Sequence, residues 1–287
     1  MSLIDRARRA APPGGLHLPP AAAADLARAA GSLDALLLAL IPLARSLSVP
    51  KLSGFQVGAV ALGTAGAVYF GANLEPDSAS LAATVHAEQS AVVNAILHGE
   101  PGVERLAVSS PPCGYCRQFL YELTSADRLQ IILADRPPTP FLSLLPGPFG
   151  PRDLGLEGAL PPAKPAELAW INAGAGPAAE AALAAARRSY APYTGALAGL
   201  GLVIRRPDGT TATFGGPYLE NVAFNPSLSP VQTVLIALAV AETPAAIMEA
   251  TLVQLHDSKL NHATATVELL SRLAPGVKLK VYTVRRA

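Results

Sequence analysis

Apolar and polar positions alternate in two characteristic ways along this chain, and the order in which they do so occurs twice. Residues 21–30 and 34–45 carry a helical period. In the second run Leu36, Leu37, Leu38 and Leu40 supply the apolar face, and Ser32 stands where an N-cap belongs. The first 20 residues are rich in Pro and Ala and are expected to cap or fray. Residues 56–61 and 67–70 read as strands of a hairpin across Gly63-Thr64-Ala65-Gly66. A helix is predicted over 81–97, with Val85, Ala91, Val92, Ala95 and Ile96 inward. A strand at 106–108, a helix at 114–123 and a strand at 131–134 follow. From Pro137 to Pro165 prolines and glycines crowd together, so regular structure is not expected there. Beyond it come a helix at 178–188, a hairpin of 197–205 and 211–214 around Pro207-Asp208-Gly209, a helix at 231–241, and strands at 252–255 and 279–284. Helices interleaved with strands in this way imply an α/β layered architecture.

The second half repeats the first. The run SGFQVGA from Ser53 matches TGALAGL from Thr194, an offset of 194 − 53 = 141. FGANLE from Phe70 matches FGGPYLEN from Phe214 at 144, and HAEQSAVVNAI from His86 matches SPVQTVLIALA from Ser229 at 143. Two copies of one domain account for the 287 residues. The expected organisation is an N-terminal helical segment (1–47), a first domain (48–136), a Pro/Gly-rich linker (137–177) and a second domain (178–287).

Composition narrows the function. Half of the chain is apolar (51%) and 15% is charged, which excludes bulk disorder. Lys+Arg 22 against Asp+Glu 21, with 5% aromatics, argues against a dedicated nucleic-acid surface. Cys113 and Cys116 are the only cysteines, so there is no disulfide framework. The start has basic residues but no apolar stretch behind them. The greasiest early run, residues 36–43, is broken by Pro42 and is far shorter than the ~20 residues of a membrane span. A reducing, cytoplasmic setting is expected, with no membrane or nucleic-acid partner.

The first copy carries His86-Ala87-Glu88 and, 27 residues after His86, Cys113-Gly-Tyr-Cys116 behind Pro112. One imidazole and two thiolates suit zinc. A closed structural site needs a fourth protein ligand, and no third cysteine exists, so an open site is favoured. Glu88 falls beside the metal at the helix start, where a carboxylate can take a proton from an activated water and pass it on. Cys113 and Cys116 share a helix N-terminus, which favours thiolate, and Arg117 could donate to one of the sulfurs. A redox pair is the plainer reading of a lone CxxC, but it leaves the HAE motif unexplained. The combination H-x-E…P-C-x-x-C is a known zinc-deaminase signature.

On these residues, together with KLSGFQVGA (51–59), YFGANLE (69–75), TVHAEQSAV (84–92), PPCGYCRQFLYEL (111–123) and ENVAFNPSLSPVQ (220–232), the chain resembles the cytidine deaminase family. It resembles the two-copy, dimeric form whose second domain has lost the metal. The resemblance implies a three-layer α-β-α domain with a mixed sheet, present twice. It also implies one zinc per chain on His86, Cys113 and Cys116, with Glu88 as catalytic proton shuttle. The implied reaction is hydrolysis of cytidine and 2′-deoxycytidine to uridine and 2′-deoxyuridine with release of ammonia, by zinc-activated water. Asn73 and Glu75 then bind the ribose 3′-hydroxyl, Phe55 packs on the pyrimidine, Ala87 lies at the substrate, and Phe149 reaches into the partner subunit's site of a homodimer.

Departures from the pattern accompany it. Pro111 stands where the family often has Thr or Ser, so the hydroxyl is lost while the backbone carbonyl remains. In the second copy Ser229 and Val231 replace the histidine and the glutamate, and no cysteines follow. That copy is expected to pack and dimerise. His17, His98, His256 and His262 lack metal-ligand companions and read as surface or structural residues. Two competitors remain at this level: deamination of another base or nucleotide, and a non-catalytic zinc-stabilised scaffold.

Overall fold

Close-packed glycines explain how the layers form. In the computed structural model, which describes every residue except 14, 78, 158–159, 173 and 242–245, the chain divides into two compact units. Unit 1 takes Met1–Glu75, Thr84–Pro161 and Ala239–Glu242. Unit 2 takes Pro76–Ala83, Pro162–Leu238 and Thr243–Ala287.

Unit 1 begins with helix α1 (Leu3–Ala10), strand β1 (His17–Leu18), α2 (Pro20–Ala30) and α3 (Leu33–Arg45). Of the two outcomes expected for the first 20 residues, capping or fraying, the start of the chain shows a capped helix. Ser2 Oγ accepts from Asp5 N at 3.1 Å, and the Asp5 carboxylate accepts from Ser2 N at 3.2 Å, a reciprocal cap. Ser32 caps α3 by accepting from Ala35 N, as its position predicts. Then come β2 (Val49–Pro50), β3 (Gly58–Gly63), β4 (Val68–Ala72), β5 (Leu74–Glu75), α4 (Ala87–Leu97), β6 (Val103–Val108), α5 (Gly114–Leu120), β7 (Gln130–Ile132) and β8 (Thr139–Pro140). The main sheet runs β1-β4-β3-β6-β7-β8, with only β6–β7 parallel.

Every residue of β3 and β4 is buried, as in a sheet covered on both faces. Gly58 abuts the backbone of Ala44 and Arg45 at the end of α3, and Gly71 abuts the backbone of Ala87 and Ala91 in α4. Gly71 pairs with Ala59, so it points to the face opposite Gly58. Helices α3 and α4 therefore sandwich the sheet, and neither glycine position has room for a Cβ.

Unit 2 is built from β9 (Leu168–Trp170), α6 (Pro177–Arg187), β10 (Ala198–Arg205), β11 (Thr211–Pro217), α7 (Pro230–Val240), β12 (Ala246–Leu255), α8 (Ala263–Leu273) and β13 (Leu279–Arg286). Its sheet runs β11-β10-β12-β13-β9, and only β12–β13 is parallel. The order and directions of β4-β3-β6-β7 are thus reproduced by β11-β10-β12-β13. The glycines recur too. Gly199 and Gly201 abut the α6 backbone, and Gly216, paired with Leu200 on the other face, abuts Pro230 and Val234 of α7. Both units are three-layer α-β-α domains with a mixed sheet.

Two further differences from the sequence reading stand out. Residues 137–165 carry no long element, yet they give β8 to the edge of unit 1, and β9 occupies the corresponding edge of unit 2. Helix α8 was not anticipated, although Thr266, Leu269 and Leu270 bury at helical spacing.

Candidate functional site

The three soft donors meet because two helices begin at the same place. The chain stays extended through Val85, which exchanges both backbone hydrogen bonds with Leu74 at 2.9 Å. This breaks the helix expected over 81–97 into a short 3₁₀ turn at Leu81–Ala83 and the helix α4. His86 becomes the N-cap of α4, its N–H donating to Gln89 Oε1 at 3.1 Å. Cys113 is likewise the N-cap of α5, with Cys116 in the first turn. His86 Nδ1 lies 3.5 Å from Cys113 Sγ, and the two sulfurs are 3.7 Å apart. Tetrahedral zinc, with Zn–S of about 2.3 Å and Zn–N of about 2.0–2.1 Å, sets ligand separations of about 3.5 Å (N to S) and about 3.8 Å (S to S). The donor set therefore fits zinc in chemistry and in spacing, and it is the only such group among the described residues. Tyr115, between the cysteines, stacks on the His86 ring at 5.5 Å and fixes its plane.

The electrostatics separate the titrating groups. A hydrogen bond from the Cys116 thiol, backbone N–H groups at the start of α5 and the nearby imidazole bring the Cys113 thiol down to about 5, against the effect of burial. Its neighbour Cys116 moves the other way, because it is bonded to Cys113, buried and close to Glu88. The protein alone thus stabilises one thiolate of the pair. Glu88, 4% exposed in the first turn of α4, is pushed up by burial. Glu75 faces partial burial too, but hydrogen bonds from Ser53, Leu52 and Asn73 overcome it and hold the carboxyl below its usual range. One cavity therefore presents a carboxyl that tends to keep its proton and a carboxylate that stays ionised, a common division of labour in acid–base sites.

That cavity has a volume of about 340 Å³. His86, Glu88 and Cys113 line it together with Asn73, Glu75, Phe55 and Ala87. Phe55 is 59% exposed, so it stands at the mouth and not in the core. Asn73 Nδ2 donates to Phe55 O and Glu75 Oε1, both at 2.9 Å, and Asn73 Oδ1 accepts from Val57 N and from Ser48 Oγ. The fully buried Cys116 lies behind the wall.

Phe149 is not among the cavity's lining residues. It is 49% exposed, and its carbonyl accepts from Gln118 Nε2 at 2.8 Å. Arg117 does not reach a sulfur: its guanidinium donates to the Pro112 and Leu144 carbonyls at 2.9 and 2.8 Å, tying the cysteine loop to the following segment. Ser53, Thr84 and Ser110 line the cavity without having been singled out from the sequence. Single serines and threonines in loops carry no signal of their own.

Unit 2 keeps the frame and lacks the chemistry. Ser229 N and Oγ both bond Gln232 Oε1, the same helix-start contact that His86 makes with Gln89. Val231 stands where unit 1 has Glu88, and both cysteines of the chain lie in unit 1. Of the other histidines, His17 and His98 pack ring to ring at 4.1 Å, and buried His262 packs on Tyr218.

Two regions of the chain, residues 32–132 and 142–267, match family models described as the cytidine and deoxycytidylate deaminase zinc-binding region. A cytidine deaminase of Aliivibrio fischeri is 41% identical, the match covering 85% of this chain and 80% of that protein. One from Shewanella loihica is 41% identical over 90% of this chain and 86% of that one. The solved cytidine deaminase of Mycobacterium tuberculosis is 33% identical, spans 40% of this chain and 95% of that one, and gives a TM-score of 0.36. With both halves matched by that family and relatives this similar along most of its length, the chain belongs to the cytidine and deoxycytidylate deaminases.

Proposed function

We propose that the protein deaminates cytidine and 2′-deoxycytidine by hydrolysis, giving uridine or 2′-deoxyuridine and ammonia; its relatives carry the name cytidine deaminase. The observation that carries this reading is the juxtaposition of buried Glu88 with the His86, Cys113 and Cys116 cluster at a nucleoside-sized cavity. Those three residues would hold the zinc. When bound, zinc supplies a Lewis-acidic centre that lowers the pKa of water. Deprotonating Cys116 alongside Cys113 is favoured by a dication among them.

The chain's own residues do the rest. The water oxygen bonds to C4 of the pyrimidine and the bond from C4 to the exocyclic nitrogen breaks. Glu88 takes protons from the water and delivers them to N3 and to the leaving amine. Burial, which raises its affinity for a proton, suits it to that shuttling. Ionised Glu75 accepts from the ribose 3′-hydroxyl beside Asn73, whose amide holds Glu75 and the Phe55 carbonyl in place, while Phe55 covers the ring. Ala87 and Pro111 also line the cavity.

We further infer a homodimer in which exposed Phe149 completes the partner's site, and a cytoplasmic setting, where a reducing medium keeps the two cysteines as thiols. No single helix among the described residues is long and apolar enough to cross a membrane. Light scattering tests the dimer, and a monomer with full activity would remove the role given to Phe149. The activity is tested by elemental analysis followed by the ultraviolet change on adding cytidine, deoxycytidine, cytosine, dCMP and adenosine. One zinc per chain and turnover of the two cytosine nucleosides are expected. Zinc with no ammonia from any of them would leave a scaffold.

A further inference from the structure

We propose that Ser53 is a positioning residue for the sugar end of this site, its hydroxyl orienting Glu75 and giving way when a substrate hydroxyl arrives. The proposal rests on the nucleoside reading above and deepens it.

The argument starts from a full inventory of donors on Glu75. Oε2 accepts from Leu52 N at 3.0 Å and Ser53 N at 2.8 Å. Oε1 accepts from Ser53 Oγ at 2.8 Å and Asn73 Nδ2 at 2.9 Å. A carboxylate offers about four lone-pair sites, so Glu75 is saturated. Asn73 is saturated as well: both Nδ2 protons are used, and Oδ1 accepts from Val57 N at 2.9 Å and Ser48 Oγ at 2.6 Å. A substrate hydroxyl reaches Glu75 only if one of the four donors lets go.

Three of them are fixed. The Leu52 and Ser53 N–H groups belong to the backbone, and the Asn73 amide is pinned on both sides. The Ser53 hydroxyl alone releases its acceptor by rotating about Cβ–Oγ, which moves no heavy atom. Its oxygen meanwhile keeps accepting from Phe55 N at 3.0 Å, so the loop bearing Phe55 stays in place. The freed proton then points to the incoming oxygen. Ser53 thus links the orientation of Glu75 to the placement of Phe55 through one hydroxyl.

The second unit contains the control. Glu220 Oε2 accepts from Tyr193 N at 2.8 Å and Thr194 N at 3.2 Å, and Glu220 Oε1 accepts from Thr194 Oγ1 at 2.6 Å. Thr194 Oγ1 in turn accepts from Ala196 N at 3.2 Å. The Tyr218 hydroxyl takes the place of the Asn73 amide, donating to Glu220 Oε1 at 3.2 Å. This clamp persists where no metal ligands exist, so the loop anchor belongs to the fold. It also shows that a threonine performs it.

The experiment compares wild type, Ser53→Ala and Ser53→Thr on cytidine and 3′-deoxycytidine, with zinc content and melting temperature measured alongside. Ser53→Ala is expected to raise KM for cytidine roughly 5–15-fold, the size of one net hydrogen bond, with kcat moved far less. Its effect on 3′-deoxycytidine should stay below about 2-fold, and Ser53→Thr should restore the cytidine KM. Equal losses on both substrates with a lowered melting temperature would reduce Ser53 to a structural anchor and overturn the proposal, as would an unchanged KM or failed rescue by threonine. Wild-type enzyme that turns over neither nucleoside, or treats the two alike, overturns the sugar-binding reading itself, whatever the variants do.

Discussion

Units 1 and 2 share a strand order, a pair of strand glycines pressed against helix backbone, a glutamine at the start of the second-layer helix and a strand-end glutamate clamping a loop. They differ in the residues that carry the chemistry: His86, Glu88, Cys113 and Cys116 have no chemical counterparts in unit 2, where Ser229 and Val231 stand in place of the first two. The scaffold and the chemistry are therefore separable. The frame is maintained by close backbone approach and helix capping, which do not depend on what the helix starts present. The chemistry depends on a handful of side chains that a shared frame happens to aim at one point.

The largest effect expected from testing this separation is on Glu88. Glu88→Gln should lower kcat/KM by roughly 10⁴-fold, at the upper end of what a proton shuttle contributes, while zinc content and melting temperature stay at wild-type levels. The mirror change Val231→Glu should add no activity, because no metal ligands surround it. Activity surviving in the first variant would assign the proton transfers elsewhere.

Next comes a pH effect confined to unit 2. His262 is buried at the start of α8 against Tyr218, with no partner for Nε2, and burial lowers its pKa to about 4. The unfolded chain binds a proton below about 6.5 and the folded one does not until about pH 4. Stability from this group is thus complete above pH 6.5 and is lost as pH falls toward 4, by up to about 3 kcal/mol. Urea unfolding at pH 7 and pH 5 should show a loss in wild type that shrinks in His262→Phe. A variant as acid-sensitive as wild type would exonerate the histidine.

The glycines give a smaller, matched pair. Gly71→Ala and Gly216→Ala both press a Cβ into helix backbone and should each cost about 1–3 kcal/mol. Gly71→Ala should also raise KM or lower zinc occupancy, since α4 starts at His86. If the two variants were indistinguishable in activity, α4 placement would not govern the site. The smallest effect is at the caps: Gln89→Ala and Gln232→Ala should each lose about 1 kcal/mol, by thermal melting.

Much of this was legible in the sequence. The hairpins around residues 63–66 and 207–209, helices α2, α3, α6 and α7 and the duplication all follow from local period, turn residues and caps. The residue types and spacing of His86, Glu88, Cys113 and Cys116 already named the chemistry. The start of α4 was misplaced because Thr84 and Val85 do not interrupt the helical period. Only pairing with Leu74, distant in sequence, keeps the chain extended there.

The sequence by itself thus determined which segments bury, where most helices begin and which side chains can hold a metal or a proton, because those properties depend on neighbours a few residues away. The tertiary structure alone decided the rest. It brought two helix starts within 3.5 Å at Cys113 and His86, turned Arg117 to carbonyls instead of sulfur, and closed four donors around Glu75. It also recruited β1, β8 and β9 to sheet edges. Each of these joins groups whose approach is set by the sheet's register and by glycines that admit a helix at close range. No local pattern encodes such distances.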